Sequence, residues 1–127
     1  MTSIEVPYSI AAALPSLAVL DITNDVAQEL ARADVRDGIA YISAGPGCLV
    51  RVNERETGFF CDVEEMLARL LPFDTRDRTR LLSFLLGART EQVPFMDGQL
   101  CMGQWQRVLL FDLQGACKGE WTLTLVG

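Results

Sequence analysis

Apolar and polar residues alternate with a period of two in several short stretches of the chain, and this pattern predicts strands. The run at residues 108–111 contains no polar side chain, as in a strand that is buried on both faces. The predicted strands are residues 3–9, 17–20, 39–44, 48–52, 92–95, 99–102, 107–113 and 120–126. The C-terminal half is therefore expected to be rich in strands.

Apolar residues three and four positions apart predict three helices. The first begins near Thr23 or Asn24, since either side chain is a favourable N-cap, and Asp37-Gly38 is predicted to close it. The second is predicted to begin at Asp62, which would cap it. The third covers about residues 77–86 and stops at Gly87, a residue type that commonly ends helices.

Two tight turns and one polar loop connect these elements. Asp97-Gly98 is a dipeptide that accepts positive φ at both central turn positions, so it predicts a hairpin. Gly45-Pro46-Gly47 separates residues 39–44 from 48–52 by only three residues, and these two strands are expected to pair as an antiparallel hairpin. Residues 53–58 are polar and are predicted to form a loop.

The order of elements predicts an α+β fold, with about three helices on one face of a mixed, largely antiparallel sheet. A length of 127 residues predicts a single domain, residues 1–127. No stretch reaches the ~18 consecutive apolar residues of a membrane span, and the N-terminus lacks the pattern of a signal peptide. We therefore expect a cytoplasmic protein without a membrane partner.

The charge balance and the absence of histidine exclude several kinds of function. A formal net charge of −6 disfavours binding to phosphate backbones, so nucleic acid is not an expected partner. The chain has no histidine, which excludes Ser-His-Asp and Cys-His machinery and histidine-ligated metals. Any catalysis must use carboxylates, Arg, Cys, Tyr or the backbone, and the sequence leaves enzymatic activity undecided.

The four cysteines have no spacing typical of a metal site. Cys48, Cys61, Cys101 and Cys117 contain no CxxC pair, and no histidine could complete a zinc site. Reduced thiols without a disulfide are the expectation. No metal and no cofactor are predicted.

An arginine cluster at the predicted start of the third helix is one candidate site. Arg76, Arg78 and Arg80 lie where the helix dipole disfavours cations, and a bound anion would remove that conflict. The alternative is a solvated turn in which Asp74 and Asp77 balance the arginines. The spacing leaves both interpretations open.

A second candidate site combines the end of one strand with the start of another. Asn53 and Glu54 offer an amide and a possible base, and Gln106 is a polar amide beside the core that must find partners. Trp105 could stack on a ligand or pack in the core or at an interface. A structural role is the alternative for each residue.

The chain resembles the YjbQ-like proteins, a family that is secondary thiamine-phosphate synthase-like, in a set of short motifs that occur in the same order. The motifs are Asp21-Ile22-Thr23, Asn53-Glu54, Leu85-Leu86-Gly87, Val93-Pro94, Asp97-Gly98, Gly103-Gln104-Trp105-Gln106 and Val126-Gly127. The resemblance covers most of the chain. It implies a small α+β domain that assembles into homotrimers, with a pocket near the subunit boundaries.

The chain departs from this family at the positions of its histidines. Family members typically carry His-Thr-Thr before the Asn-Glu pair, where this chain has Gly45-Pro46-Gly47, and a second histidine where it has Arg80. Glycine removes an acid–base group, and arginine neither titrates near neutral pH nor binds a metal cation. The resemblance therefore implies a divergent member that has exchanged the family's histidine chemistry for binding of an anion.

Three hypotheses follow from the residues and the resemblance together. The first is a divergent trimer that binds a small phosphorylated ligand and is not competent in the family's chemistry. The second is an active thiamine-phosphate-synthase-like enzyme, with Glu54 as base and Arg80 stabilising charge. The third is a structural or interaction module without a ligand. The candidate ligand-binding residues are Asn53, Glu54, Arg76, Arg78, Arg80, Trp105 and Gln106.

Overall fold

A computed structural model of the chain describes residues 18–87, 89–113 and 120–127. The strand predicted at residues 3–9 lies outside this part. The described elements, in chain order, are β1 (Ala18–Asp21), α1 (Thr23–Arg32), β2 (Gly38–Ala44), β3 (Cys48–Glu54), α2 (Thr57–Leu70), α3 (Arg78–Leu86), β4 (Thr90–Met96), β5 (Gln99–Leu100), β6 (Gln106–Asp112) and β7 (Trp121–Val126). The predicted α+β class with three helices is confirmed for the described residues.

The described strands form two antiparallel sheets instead of one mixed sheet. The three-stranded sheet has the order β1-β6-β3, and the four-stranded sheet has the order β5-β4-β2-β7. The predicted hairpin of β2 and β3 is therefore wrong, because β2 pairs with β4 and β7 whereas β3 pairs with β6. The turn at Gly45-Pro46-Gly47 carries the chain from one sheet to the other.

Strand β6 lies in the middle of the three-stranded sheet and is buried on both faces, as its sequence predicted. Val108 and Leu110 belong to the cluster that packs against the four-stranded sheet and α1. Leu109 and Phe111 point the opposite way, into a cluster with residues of α2 and α3. The three-stranded sheet is thus the central layer, with the four-stranded sheet and α1 on one side and α2 and α3 on the other.

The N-cap of helix α2 lies six residues earlier than predicted, so the predictions of an N-cap at Asp62 and of a loop over residues 53–58 are wrong. The cap is Glu56, whose Oε1 accepts a hydrogen bond of 3.3 Å from the backbone N–H of Phe59. Only Arg55 separates Glu56 from the end of β3, and the early start places Phe60 in the core with only 2% of its surface exposed. A glutamate as cap is not the residue type that the prediction sought.

Helix α1 is shorter than predicted, whereas α3 has the predicted extent. Helix α1 ends at Arg32, before Asp37-Gly38, and a short connection follows it. Helix α3 stops at Gly87, which has a φ of 74° that favours glycine. Asp37-Gly38 therefore lies at the end of the connection before β2 and does not close helix α1.

The hairpin predicted at Asp97-Gly98 is confirmed and joins β4 to β5. Both residues have positive φ, 55° and 76°, as this type of turn requires. Arg36 forms an ion pair of 2.6 Å with the Asp97 carboxylate, and Asp37 accepts a hydrogen bond of 2.8 Å from the Asp97 backbone N–H. The turn is therefore attached to the connection that follows α1.

The cysteines differ from the expectation of reduced thiols. Cys48, at the start of β3, is disulfide-bonded, so the expectation is wrong for this residue. Cys61 and Cys101 are free and exposed, and Cys117 lies outside the described residues. Disulfides are uncommon in a reducing cytoplasm. The cytoplasmic location stays a prediction.

Large apolar side chains are exposed on α2, on α3 and on the segment between them. Phe84 is the extreme case, with 89% of its surface exposed. No helix in the described part of the chain has both the length and the hydropathy to cross a membrane. We call the following residues the helical apolar surface: Phe59, Met66, Leu70, Phe73, Leu81, Phe84 and Leu85.

Two phenylalanines in this helical layer differ in burial and provide a matched test of the packing. We expect Phe60→Ala to lower the free energy of unfolding by about 3–5 kcal/mol, because a buried ring is lost and a cavity remains. Phe84→Ala, compared at chain concentrations low enough for the protein to be monomeric, should change it by less than about 0.5 kcal/mol, as at an ordinary surface position. Urea denaturation of both variants measures the difference, and equal losses would contradict the placement of Phe60 in the core.

Candidate functional site

The carboxylate of Asp21 is fully buried at the junction of β1 and α1. Its Oδ1 accepts hydrogen bonds from the backbone N–H of Thr23 at 2.9 Å and from the Thr23 hydroxyl at 2.6 Å. Its Oδ2 accepts from Arg107 Nε at 2.7 Å and from an Arg55 terminal nitrogen at 3.0 Å. Four donors thus replace the water that a buried carboxylate loses.

These hydrogen bonds decide the charge state of Asp21. Burial alone raises the pKa of this carboxyl, but the hydrogen bonds from Arg107 and Thr23 and the positive charge of Arg107 outweigh it, so the pKa lies below its ordinary value of 3.8. Thr23 does not cap α1 as predicted, because its Oγ1 donates to Asp21 and accepts from the Val108 backbone N–H at 2.8 Å.

A groove of about 480 Å³ lies next to this buried carboxylate. It forms where β3 ends beside the start of β6, since Glu54 is paired with Gln106 in the register of these strands. Its walls carry charges of both signs and one exposed aromatic ring. We call it the Trp105 groove, and its lining residues are Glu54, Arg55, Glu56, Gln104, Trp105 and Arg107.

Arg107 is one of the two cations of the groove that the Asp21 carboxylate fixes, and Arg55 is the other. Nε of Arg107 is bonded to the buried carboxylate of Asp21, while its side chain keeps 28% of its surface exposed. Its two terminal nitrogens make no hydrogen bond within the described part of the chain. The guanidinium is therefore held in place and still has donors that a ligand in the groove could use.

The carboxylates and the aromatic ring of the groove are more exposed than its two arginines. Glu56 is engaged as the cap of α2, and Glu54 is exposed. Trp105 has 69% of its surface exposed, so its ring is not a core residue. The groove thus combines a fixed guanidinium, an accessible carboxylate and a flat aromatic surface.

Asn53 and Glu54 lie on opposite faces of β3, because successive residues of a strand alternate. Glu54 lines the Trp105 groove, whereas Asn53 lines a second pocket on the side of α2. The Asn53 amide also donates to the Glu54 backbone carbonyl at 3.1 Å. The two residues predicted to act together therefore contribute to different pockets.

Gln106 finds its partner in the local backbone. Its side-chain oxygen accepts a hydrogen bond of 2.8 Å from the Gly103 backbone N–H, and the Gln106 backbone N–H donates to the Gly103 backbone carbonyl at 3.1 Å. A Cβ atom at position 103 would lie 3.2 Å from the Gln106 side-chain oxygen, which is tight. The glycine and the glutamine thus form one turn, and Gln106 lines neither pocket described above.

The predicted arginine cluster lies at and before the start of α3 and lines neither pocket. Arg78 donates from Nε to the Leu71 backbone carbonyl at 2.7 Å, and its guanidinium lies 4.4 Å from the centre of the Phe73 ring. Arg76 and Arg80 are exposed. Arg80 is therefore not in the groove that holds Glu54, and a catalytic role for this pair stays a prediction.

The sequence interpretation missed the residues that build the base of the groove. Asp21 was identified only as part of a motif, and Thr23 only as part of that motif and as a helix cap. Arg55 and Arg107 were not identified as candidate site residues. The available signal was a carboxylate directly after a short apolar run, which needs buried partners. Among the described residues, no group of three or more Cys, Asp or Glu side chains could hold a metal ion.

Comparison with known proteins assigns the family. Residues 13–127 match the family model described as "UPF0047 protein YjbQ-like", so the chain belongs to this family. A UPF0047 protein of Archaeoglobus fulgidus is 31% identical over 108 residues, which are 76% of this chain and 82% of the relative. A UPF0047 protein of Methanothermobacter thermautotrophicus is 28% identical over 107 residues, 76% and 74% of the two chains.

A solved structure has the same fold. It is described as a YbjQ-like protein of unknown function from Sulfolobus solfataricus P2 and superimposes with a TM-score of 0.73. The match covers 87% of this chain and 88% of the other at 24% identity. The resemblance to the YjbQ-like family and the α+β fold are thus confirmed, and the family is one of unknown function.

The buried carboxylate generates a prediction about stability and pH. We expect Asp21→Asn to lower the free energy of unfolding at pH 7 by about 3 kcal/mol, the lower end of the range for breaking a buried ion pair. Because the pKa of Asp21 is lower in the folded than in the unfolded state, the stabilisation is complete above its ordinary value of 3.8 and is lost as pH falls through the folded-state value.

When urea denaturation is repeated, the difference in unfolding free energy between wild type and Asp21→Asn should therefore be unchanged at pH 5 and smaller at about pH 3. Asp74→Asn is the control, since Asp74 is exposed on the segment between α2 and α3. A difference between wild type and Asp21→Asn that stays constant over this pH range would show that Asp21 is not the charged partner of Arg107.

Proposed function

We propose that this protein is a divergent YjbQ-like homotrimer that binds a small phosphorylated ligand in the Trp105 groove. The observation that carries the proposal is the guanidinium of Arg107, which the buried Asp21 fixes at the groove. A donor that is already in position loses little conformational entropy when it binds an anion. The site differs from the arginine cluster that the sequence pointed to.

The lining of the groove favours a ligand with an aromatic part. The exposed ring of Trp105 provides a flat surface on which another ring can stack. The carboxylate of Glu54 can accept hydrogen bonds from ligand donors such as an amino group. A phosphorylated heterocycle with an amino group matches these three features together.

In this proposal the protein does not carry out the histidine chemistry that the family resemblance implies. The chain has no histidine, and Arg80, which stands at one of the family's histidine positions, lies outside the groove. An arginine at such a position supplies a fixed charge and cannot exchange protons near neutral pH. Binding is therefore the proposed role, and a catalytic step is not.

Assembly into a homotrimer accounts for the helical apolar surface. Surfaces of monomeric proteins rarely expose so many large apolar side chains on adjacent elements. Exposed carboxylates and guanidiniums lie among them, such as Glu65 and Arg69, which form an ion pair of 2.8 Å within α2. A surface with charges of both signs can be complementary to another copy of itself.

Ligand binding is tested by calorimetric titration with inorganic pyrophosphate and with thiamine phosphate. We expect Glu54→Gln to tighten pyrophosphate about threefold, because removing a neighbouring negative charge gains on the order of 0.7 kcal/mol in water. The same variant should weaken thiamine phosphate, because the ligand's amino group loses a hydrogen bond to a charged acceptor. Trp105→Ala should weaken thiamine phosphate about fivefold through lost stacking and leave pyrophosphate unchanged. These opposite signs distinguish the groove from non-specific binding.

Arg80→Ala is the matched control for location, since it removes an exposed guanidinium outside the groove. Its affinity for both ligands should equal that of the wild type. Loss of binding in Arg80→Ala, with normal binding in the two groove variants, would place the ligand at the arginine cluster. No binding of either ligand by the wild type would overturn the proposal.

The proposed assembly is tested by light scattering after gel filtration. Wild type should have three times the mass of the chain, and Phe84→Asp should shift it towards the monomer, because a charge would be buried in an apolar contact. Trp105→Asp, which places the same charge on an exposed aromatic outside the helical apolar surface, should remain trimeric. A monomeric wild type, or a trimeric Phe84→Asp, would contradict this assignment of the interface.

A further inference from the structure

The second pocket described above lies between β3 and α2, on the face of β3 opposite to the Trp105 groove. It has a volume of about 220 Å³ and an almost entirely apolar lining. Leu49, Phe60 and Phe111 form its buried walls, and the exposed side chains of Phe59 and Met66 lie at its mouth. We call it the Phe60 pocket.

The shape and lining of the pocket favour an aromatic occupant. The Phe60 ring stands edge-on to the rings of Phe59 and Phe111, with centroid distances of 5.6 and 5.7 Å. An apolar cavity of only about 150 Å³ is known to stay free of water and to bind benzene, because water finds no polar partners there. A pocket of this size can therefore take a single ring with a short substituent.

The polar residues of the lining favour a negative charge on that substituent. Arg51 and Asn53 lie two residues apart on the same face of β3 and are the polar lining residues. Arg51 donates one hydrogen bond to the Leu86 carbonyl at the end of α3, which holds its exposed guanidinium beside the pocket. Its other nitrogens make no hydrogen bond within the described residues, and a carboxylate matches their geometry.

We propose that the Phe60 pocket binds a small aromatic monocarboxylate, with the ring among the phenylalanines and the carboxylate on Arg51. A monocarboxylate fits better than a phosphate dianion, because a single guanidinium at the pocket balances one negative charge. The site is separate from the Trp105 groove, since Asn53 and Glu54 point to opposite faces of β3. The ligand proposed for that groove is therefore not part of this proposal. Because Phe59 and Met66 belong to the helical apolar surface, the proposed trimer places the mouth of the Phe60 pocket at the subunit boundary.

The test uses the full chain and phenylacetate as the probe, followed by calorimetry or by ligand-detected NMR. A ligand of about ten non-hydrogen atoms should bind with a Kd on the order of 0.1 mM. Phenylacetate should bind about tenfold more tightly than the neutral phenylacetamide, because a hydrogen bond to a charged group is the stronger one. Equal affinities for the two probes, or no binding up to about 10 mM, would overturn the proposal.

Two variants locate the site within the protein. Val63→Phe fills the pocket from α2 and should abolish binding. Arg51→Met should reduce the preference for the acid over the amide to less than about twofold, whereas Arg69→Met, which removes an exposed arginine of α2, should leave it unchanged. Unaltered affinity in a folded Val63→Phe, or unaltered preference in Arg51→Met, would overturn the assignment.

Trp105→Ala separates this proposal from the preceding one. It should leave phenylacetate binding unchanged, because Trp105 lines the Trp105 groove and does not line the Phe60 pocket. Should Val63→Phe fail to fold, the comparison of acid and amide in Arg51→Met and Arg69→Met still decides the outcome. Loss of phenylacetate binding in Trp105→Ala would place the probe in the Trp105 groove and overturn the assignment to the Phe60 pocket.

Discussion

A buried carboxylate must be given hydrogen bonds, and the one on Asp21 brings four parts of the chain together. It ends β1, fixes the first residue of α1 through Thr23, and holds Arg55 after β3 and Arg107 in β6. Removing a carboxylate from water without such partners costs several kcal/mol. The relative positions of these elements are therefore constrained by one charge, and the Trp105 groove lies next to that charge.

Local chemistry explains what the sequence could predict. The apolar run in β6, the turn at Asp97-Gly98 and the stop of α3 at Gly87 depend on neighbouring residues, and all three are confirmed. Whether β2 and β3 pair with each other depends on the rest of the chain. In the structure β2 pairs with β4 and β7, whereas β3 pairs with β6. The start of α2 was missed since Glu56 is an uncommon cap.

The sequence predicted part of the candidate site, and the contacts that it missed join residues far apart in the chain. Glu54 and Trp105 were identified from the sequence and line one groove in the structure. The contacts of Asp21 with Arg55 and Arg107 join residues that are 34 and 86 positions apart, and no local pattern indicates such distances. The alternation of side chains along a strand, in contrast, is a general rule that applies to the sequence alone. It places Asn53 and Glu54 on opposite faces of β3 once the strand is known to include both residues.

The chemistry of the Trp105 groove has a consequence for how binding depends on pH. Its ionisable side chains are carboxylates and guanidiniums, and the chain has no histidine, the side chain whose charge ordinarily changes between pH 5 and 8. The groove therefore contains no side chain of the type that ordinarily responds to pH in this range. Any change in affinity there reports the protonation of the ligand, so a pH profile of binding becomes a means of identifying which ionisable group the bound molecule carries.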